Sequence, residues 1–500
     1  MTPRRPHHRP AREGDSTEGL STVALLLFVM NNDSSVDRLV SGLQEWLATA
    51  LPGAKLPATR ALVAQYGASP VTVQKALRVL AAQGKVESRP GVGTFVRAER
   101  TARAPDHGWQ TAALGTPRHR SRQLSAALRT VPNEVIALHA GYPDRELLPE
   151  RLVRAAFARA ARGDAAVGRP PAAGLPELQA WFATELGDAM PPGLAAPAPN
   201  DVVVFPGSQS GLSTVFRALV GAGRPLVVES PTYWGAILAA EQVGVRLVPV
   251  PSGPAGPDPD ELARAVEQSG ARAFYAQPNF ANPTGARWPD RSAERVLDLV
   301  RAHGAFLIED DWAHDFGISA TPFPLAARDD SGHVVHLRSL TKSVSPAVRV
   351  AGVVARGPAR ARILAAAQAE SLYVSGLLQA VALDVVTQPA WRTHLRGLRR
   401  QLAARRDLLV DALRAHAPGA QLDAVPEGGL NLWVRLPDTT DLDRLVQDCE
   451  TEGVVVAPGT EWFPAEPAGA HLRLNYSGPG PGAFPEGARA LGRALARQPG

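Results

Sequence analysis

Cysteine is almost missing from this chain. Cys449 is the single one among 500 residues, which excludes an intramolecular disulfide and any cysteine-based metal site; no metal is expected. Long apolar runs are missing as well. The stretch Val23 to Met30 is far too short to span a bilayer. A basic start ahead of it has the outline of a secretion signal. However, no small-residue cleavage site follows, and Asn31-Asn32-Asp33 leads into a helix start. A cytoplasmic protein without membrane contact is expected. Strong charge imbalance is absent too: 53 basic residues face 48 acidic ones, a net of +5, so whole-chain charge alone does not mark a nucleic-acid binder. What is plentiful is Gly and Pro, 45 of each, within 45% apolar and 20% charged residues. That is the balance of a globular chain with a sizeable core, and its length calls for two to four domains.

The chain divides by pattern. Residues 1–33, with Arg4, Arg5, Arg9 and Arg12, read as a disordered basic tail. In residues 34–97, Ser34 or Ser35 can cap a helix to about Leu51, with Val36, Leu39, Val40, Leu43, Trp46 and Leu47 on one face. A short helix, Thr59 to Tyr66, turns at Gly67 into a third, Pro70 to Gln83, with Val73, Leu77 and Leu80 inward. Lys85 to Val96 then forms two strands about a Pro90-Gly91 turn. This is a helix-turn-helix with a wing, and its third helix fits a DNA major groove. Thr72, Gln74, Lys75 and Arg78 lie on or near that helix's outward side, and Arg60 and Arg89 can meet backbone phosphate. The plainer alternative is a small helical domain with a solvated basic face. Residues 98–133 lack a sustained apolar period and read as a linker in which Trp109, Leu114 and Leu124 can dock on a neighbouring surface.

From 134 to 500, apolar strands alternate with amphipathic helices: Val202–Phe205, Leu226–Glu229, Val245–Val250, Ala273–Ala276, Ala305–Ile308, Val334–Leu337 and Val350–Val354. That predicts an α/β architecture on a mostly parallel sheet, whose ligands gather at the strands' carboxyl ends. The suggestive residues lie there. Gly207-Ser208-Gln209 opens a helix predicted over 210–220, where backbone N–H groups suit a phosphate. Tyr233 ends the next strand, where a ring can stack. Asn282-Pro283-Thr284-Gly285 is a turn. Asp310 closes a buried strand and needs a cationic partner. Lys342, in Ser339-Leu340-Thr341-Lys342-Ser343, becomes a nucleophile with a lowered pKa if enclosed. Arg349 can grip a phosphate, and Arg473, mid-strand among apolar neighbours, calls for a carboxylate. Singly, each has an ordinary reading as cap, core residue, turn or surface charge. In this order they supply an amine, an acid, hydroxyls and a guanidinium, the set that pyridoxal phosphate chemistry needs.

Two resemblances follow from these residues. Leu56-Pro57, Arg60, Thr72-Val73, Ala76-Leu77, Leu80, Gly84 and Arg89 to Val96 together resemble the winged helix-turn-helix of GntR-family regulators, which implies a phosphate contact for Arg60. From about Ile136 to the end, beginning with Gly141-Tyr142-Pro143-Asp144, the chain resembles fold-type-I, class I/II aminotransferases. That likeness implies a pyridoxal-phosphate domain with a smaller C-terminal α+β subdomain. By position it makes Lys342 the lysine of the cofactor Schiff base and Asp310 the pyridine-nitrogen acid. Asn282 becomes the partner of the 3-oxygen, Tyr233 the stacking ring, and Ser208, Gln209, Ser339, Thr341 and Arg349 the phosphate ligands. Arg473 becomes the receptor for a substrate carboxylate. Two positions depart: Trp312 stands where the family carries a tyrosine that also reaches the 3-oxygen, and Gln179 where relatives carry arginine.

The pairing resembles MocR/GabR-type regulators. It implies a pyridoxal 5'-phosphate-dependent transcription regulator that binds operator DNA as a head-to-tail homodimer and senses an amino compound by transaldimination at Lys342. The alternative is a working aminotransferase whose winged helix regulates its own gene; a third is a domain that no longer binds cofactor and serves dimerisation.

Overall fold

The computed structural model describes residues 35–97, 107–114, 125–132 and 134–498. The arginine-rich start, Ser34 and Leu124 lie outside them. Two compact units divide between Pro117 and Arg118.

The first unit holds α1 (Ser35–Thr49), α2 (Thr59–Tyr66), α3 (Pro70–Ala82), β1 (Val86–Arg89), β2 (Gly93–Val96) and α4 (Gly108–Leu114). Helix α1 stops two residues short of the expected Leu51, ahead of the Pro52-Gly53 turn. Gly67, left-handed at φ 59°, ends α2, and the Ser69 hydroxyl caps α3 by accepting the Thr72 N–H at 3.1 Å. Leu39, Val40, Leu43, Leu62, Val73, Ala76 and Leu80 meet Leu56, Val86 and Val96 in one small core. Leu77, expected inside, is half-buried. The wing is an antiparallel pair in which Val86 faces Val96 and Arg89 faces Gly93. Trp109 and Leu114, on α4, are exposed.

The second unit is built on β3 (Ile136–Ala137), β4 (Val202–Phe205), β5 (Pro225–Ser230), β6 (Arg246–Gly253), β7 (Gly256–Pro257), β8 (Ala273–Ala276), β9 (Phe306–Asp311), β10 (Val334–Ser339), β11 (Ala351–Val354), β12 (Asn431–Arg435), β13 (Val454–Val455), β14 (Ala457–Pro458) and β15 (His471–Asn475). The main sheet runs β4-β11-β10-β9-β8-β5-β6-β7. Its centre, from β10 through β9, β8 and β5 to β6, is parallel; β11 and β7 make it mixed. Neighbouring residues on a strand face opposite cores. Val204, Phe274 and Leu307 enter one cluster, while Val203, Phe205, Tyr275 and Ile308 enter the other, so helices cover both faces. A smaller subdomain carries the sheet β12-β15-β14 on its own core with the helices Pro389–His416 and Phe484–Ala496.

One stretch expected to be linker is part of this unit. Ser125 and Ala127 are buried, Ala126–Leu128 forms a 3₁₀ turn, and the Glu461 carboxylate accepts the Ser125 hydroxyl and the Ala126 N–H. The low apolar content hid this because the segment is held by polar contacts. No helix among the described residues is long and apolar enough to cross a membrane, and among them no cluster of His, Cys, Asp and Glu is placed to hold a metal ion.

Candidate functional site

The parallel strands deliver their final residues to one region. After β4 the chain turns at Gly207, whose φ of 92° favours glycine. A Cβ there would stand 2.8 Å from Arg349 Nη2, so glycine is also what lets the guanidinium lie against the turn. The following helix begins at Ser208, two residues earlier than expected, and is α-helical to Val215. Its first N–H groups have no partners within the helix, an arrangement that suits an anion. Gln209 is committed elsewhere: its Nε2 donates to the Gly235 carbonyl at 2.7 Å, and its Oε1 accepts the Tyr233 hydroxyl at 3.3 Å. As a phosphate contact this position offers backbone rather than side chain. The same bond fixes the Tyr233 ring, whose phenol burial pushes well up.

Asp310 lies at the carboxyl end of β9, 2% exposed. Burial raises its carboxyl to about 6, against donors that favour the ionised form: Gln277 Nε2 at 2.8 Å and the Tyr275 hydroxyl at 2.9 Å, both on Oδ2. Oδ1 has no partner. Its neighbour Asp311 belongs to a separate cluster. Against burial, His314 and His336 hold it well below the usual carboxylate range, at 2.6 and 3.1 Å.

Lys342 follows β10. Its Nζ stands 4.2 Å from the centre of the Trp312 ring and 5.9 Å from that of Tyr142. Burial first, then the Arg473 charge, lowers its pKa to about 7, with Asp310 opposing. The lowered pKa favours the neutral amine, the form that attacks as a nucleophile. Ser339 Oγ accepts the Thr341 N–H at 3.3 Å.

Arg473 lies within β15, 1% exposed. No carboxylate pairs with it among the described residues. Nη1 donates to Asn431 Oδ1 at 3.0 Å, and Nη2 donates to the carbonyls of His139 at 2.6 Å and Ala140 at 3.0 Å. The Trp462 ring lies 5.0 Å from the guanidinium. Its direct acceptors are neutral, and burial lowers its pKa to about 10 against the more distant charge of Glu461.

Buried polar atoms here that lack a hydrogen-bond partner include Asn282 Oδ1, Asp310 Oδ1, Trp312 Nε1, Thr341 Oγ1, Ser343 Oγ, Trp462 Nε1 and Arg473 Nε. Unpaired buried polar atoms are costly, and their concentration in one place fits a polar ligand with several functional groups. Beside the glycine cradle at Arg349, the enclosed amine and the buried acid, the set fits pyridoxal 5'-phosphate.

Residues 133–490 match the family of class I and II aminotransferases, and residues 37–96 match the gntR family of bacterial regulatory proteins. The chain belongs to the class I and II aminotransferase family. As a member, its large unit binds pyridoxal 5'-phosphate, and its gntR-type unit binds DNA. The two in one chain make the MocR-type architecture. It is 28% identical over 448 residues to the probable rhizopine catabolism regulatory protein MocR of Rhizobium meliloti, covering 88% of this chain and 89% of that one. A 2-aminoadipate transaminase of Thermus thermophilus is 30% identical over 367 residues, 72% of this chain and 90% of its own. The crystal structure of the alpha-aminoadipate aminotransferase LysN from Thermus thermophilus, complexed with N-(5'-phosphopyridoxyl)-L-leucine, superposes with a TM-score of 0.67 at 29% identity, over 73% of this chain and 92% of that one.

On the gntR-type unit, Arg60, Gln74, Lys75, Arg78 and Arg89 are exposed. Thr72 is half-buried, its hydroxyl 2.8 Å from that of Ser69, which ties it to the helix cap. Arg89 pairs with Glu87 and lies 4.6 Å from the Phe95 ring centre, so part of its charge is used within the wing.

Sequence reading missed Tyr275, Gln277, Ser343, Asn431 and Trp462. Only the pairing of Ala276 with Glu309 on adjacent strands, which carries Gln277 opposite Asp310, would have revealed the second of these.

Proposed function

We propose that this protein is a pyridoxal 5'-phosphate-dependent transcription regulator that senses an amino compound carrying a carboxylate. The observation that carries the reading is an enclosed amine, with unpaired buried polar atoms around it, in the same chain as a winged helix. When bound, the cofactor supplies an aldehyde carbon for which Lys342 and an incoming amine compete. Lys342 would hold the cofactor covalently, and its depressed pKa keeps a neutral amine available for that role. Asp310 would hold the pyridine nitrogen protonated, Tyr233 would stack on the ring, Asn282 and Trp312 would serve the 3-oxygen, and Ser208, the Gln209 backbone, Ser339, Thr341 and Arg349 would hold the phosphate. Arg473, lacking an acid of its own, receives the effector's carboxylate.

The linker's end supports a route to the DNA-binding unit. Arg473 holds the backbone at His139 and Ala140; His139 Nε2 lies 2.9 Å from the Arg129 carbonyl; and Ser125 and Ala126 are held by Glu461, next to the Trp462 that lies against Arg473. A carboxylate on Arg473 therefore acts on groups that also hold residues 125–129. Binding shifts the arrangement by its differential affinity for two states. By family likeness, a head-to-tail homodimer then presents two winged helices to two half-sites of an operator.

The test is binding of DNA from upstream of the protein's own gene by cofactor-loaded protein, with a panel of amino acids led by 2-aminoadipate. A change in affinity or bending, with a visible spectral shift and no consumption of a keto acid, is the expected result. Steady transamination instead makes it an enzyme with an autoregulatory DNA-binding domain. No response to any amine defeats the sensor.

A further inference from the structure

Between Asp310 and Asn282 stands one side chain used at both ends. Gln277, just past β8, is 3% exposed. Its Nε2 donates to Asp310 Oδ2 at 2.8 Å, and its Oε1 accepts the Asn282 N–H at 2.8 Å. Its own N–H donates to Glu229 Oε2 at 3.2 Å. The other oxygen of that buried acid accepts Ser252 Oγ at 2.9 Å and Trp288 Nε1 at 3.2 Å. One orientation of the Gln277 amide serves both neighbours. Turned over, it would set donor against donor at Asn282 and acceptor against acceptor at Asp310. With the Tyr275 hydroxyl also on Oδ2, both donors hold one oxygen of Asp310 and leave Oδ1 without a partner.

We propose that Gln277 is a positioning residue for the cofactor: its amide locks the Asp310 carboxylate with Oδ1 presented to the pyridine nitrogen, and it fixes the spacing between Asp310 and the Asn282 turn. This rests on the cofactor site proposed above. Gln277 touches no reacting atom; it acts through the two residues that would hold the pyridine nitrogen and the 3-oxygen. It also favours the ionised form of Asp310, whose other charged or titratable neighbours are Tyr275, Lys342, Asp311 and Tyr233. Glutamate at this position would set a second carboxylate against the first, and leucine would leave Asp310 Oδ2 with one donor and the Asn282 N–H with none.

The experiment compares full-length wild type with Gln277→Leu and Gln277→Asn, the latter a methylene too short to span both partners. Gln179→Leu serves as a control, because Gln179 is also buried and its Nε2 donates to the Val202 carbonyl at 2.7 Å, away from the site. Three quantities are read: the cofactor dissociation constant, the pH at which the bound cofactor's visible absorbance changes, and the Tm of the cofactor-free protein. Loss of a hydrogen bond to a charged group predicts a dissociation constant raised about tenfold or more, with a displaced absorbance transition and a Tm change no larger than in the control. Gln277→Asn is expected to share the spectral change, and it decides the matter if Gln277→Leu fails to fold. A dissociation constant within twofold of wild type and an unmoved transition overturn the proposal, whatever happens to the Tm. Wild type that takes up no cofactor defeats the site reading instead and is seen before any variant is compared.

Discussion

At the scale of single residues, the chemistry is concentrated in Lys342. Its amine titrates near 7 in the folded protein, against an ordinary 10.5. The cofactor-free protein is therefore expected to capture added pyridoxal 5'-phosphate at a rate that rises through pH 7 and is level by pH 9, read by borohydride trapping and mapping of the label. Lys342→Ala is expected to abolish the label. The same shift has a consequence for stability. Between about 7 and 10.5 the unfolded chain keeps a proton that the folded chain has released, so the stability of the cofactor-free protein gains from this residue as pH rises. Denaturant unfolding at pH 7 and pH 9 should show that gain in wild type and a smaller one in Lys342→Met. Lys342, Asp310 and Arg473 were legible in the sequence because a charged residue within or just after a buried apolar strand needs a reason. Gln277 and Tyr275 were not, because they act across strands, and register is not written in either strand alone.

At the scale of elements, turns decide where these groups stand. Gly207→Ala is expected to cripple cofactor binding, with a large rise in its dissociation constant, since the new methyl would meet Arg349 at 2.8 Å in a left-handed backbone. On α3, Lys75→Ala and Arg78→Ala are expected to weaken DNA binding and to flatten its dependence on salt by about one charge each. A fluorescence anisotropy titration at several salt concentrations measures both. In contrast, Leu80→Ala, within the core of the same helix, should cost about 2–5 kcal/mol and unfold the small unit. Strands β4 and β8 follow the apolar runs residue for residue, and α2 is bounded by its own turn signals. The segment 125–129 escaped because its anchors, Glu461 and Glu450, lie more than three hundred residues away. Local pattern carries no information about such partners.

At the scale of the whole molecule, the two units are joined by a segment whose far end is tied beside Arg473. Glu461→Gln is expected to weaken the hold on Ser125 and Ala126, read as faster hydrogen exchange across residues 125–129, and to blunt the response of DNA binding to amino acids while leaving the cofactor spectrum intact. Arg473→Leu should remove the response to carboxylate-bearing amines without changing DNA binding in their absence. The unpaired polar atoms of the site have a further consequence. A partner that bonds them and binds only the folded chain stabilises that fold through mass action, by about 2.7 kcal/mol at a hundredfold excess over the dissociation constant. The number of copies that survive proteolysis in a starved cell would then track vitamin B6 supply, making the repertoire of occupied operators a readout of nutrition before any effector is present.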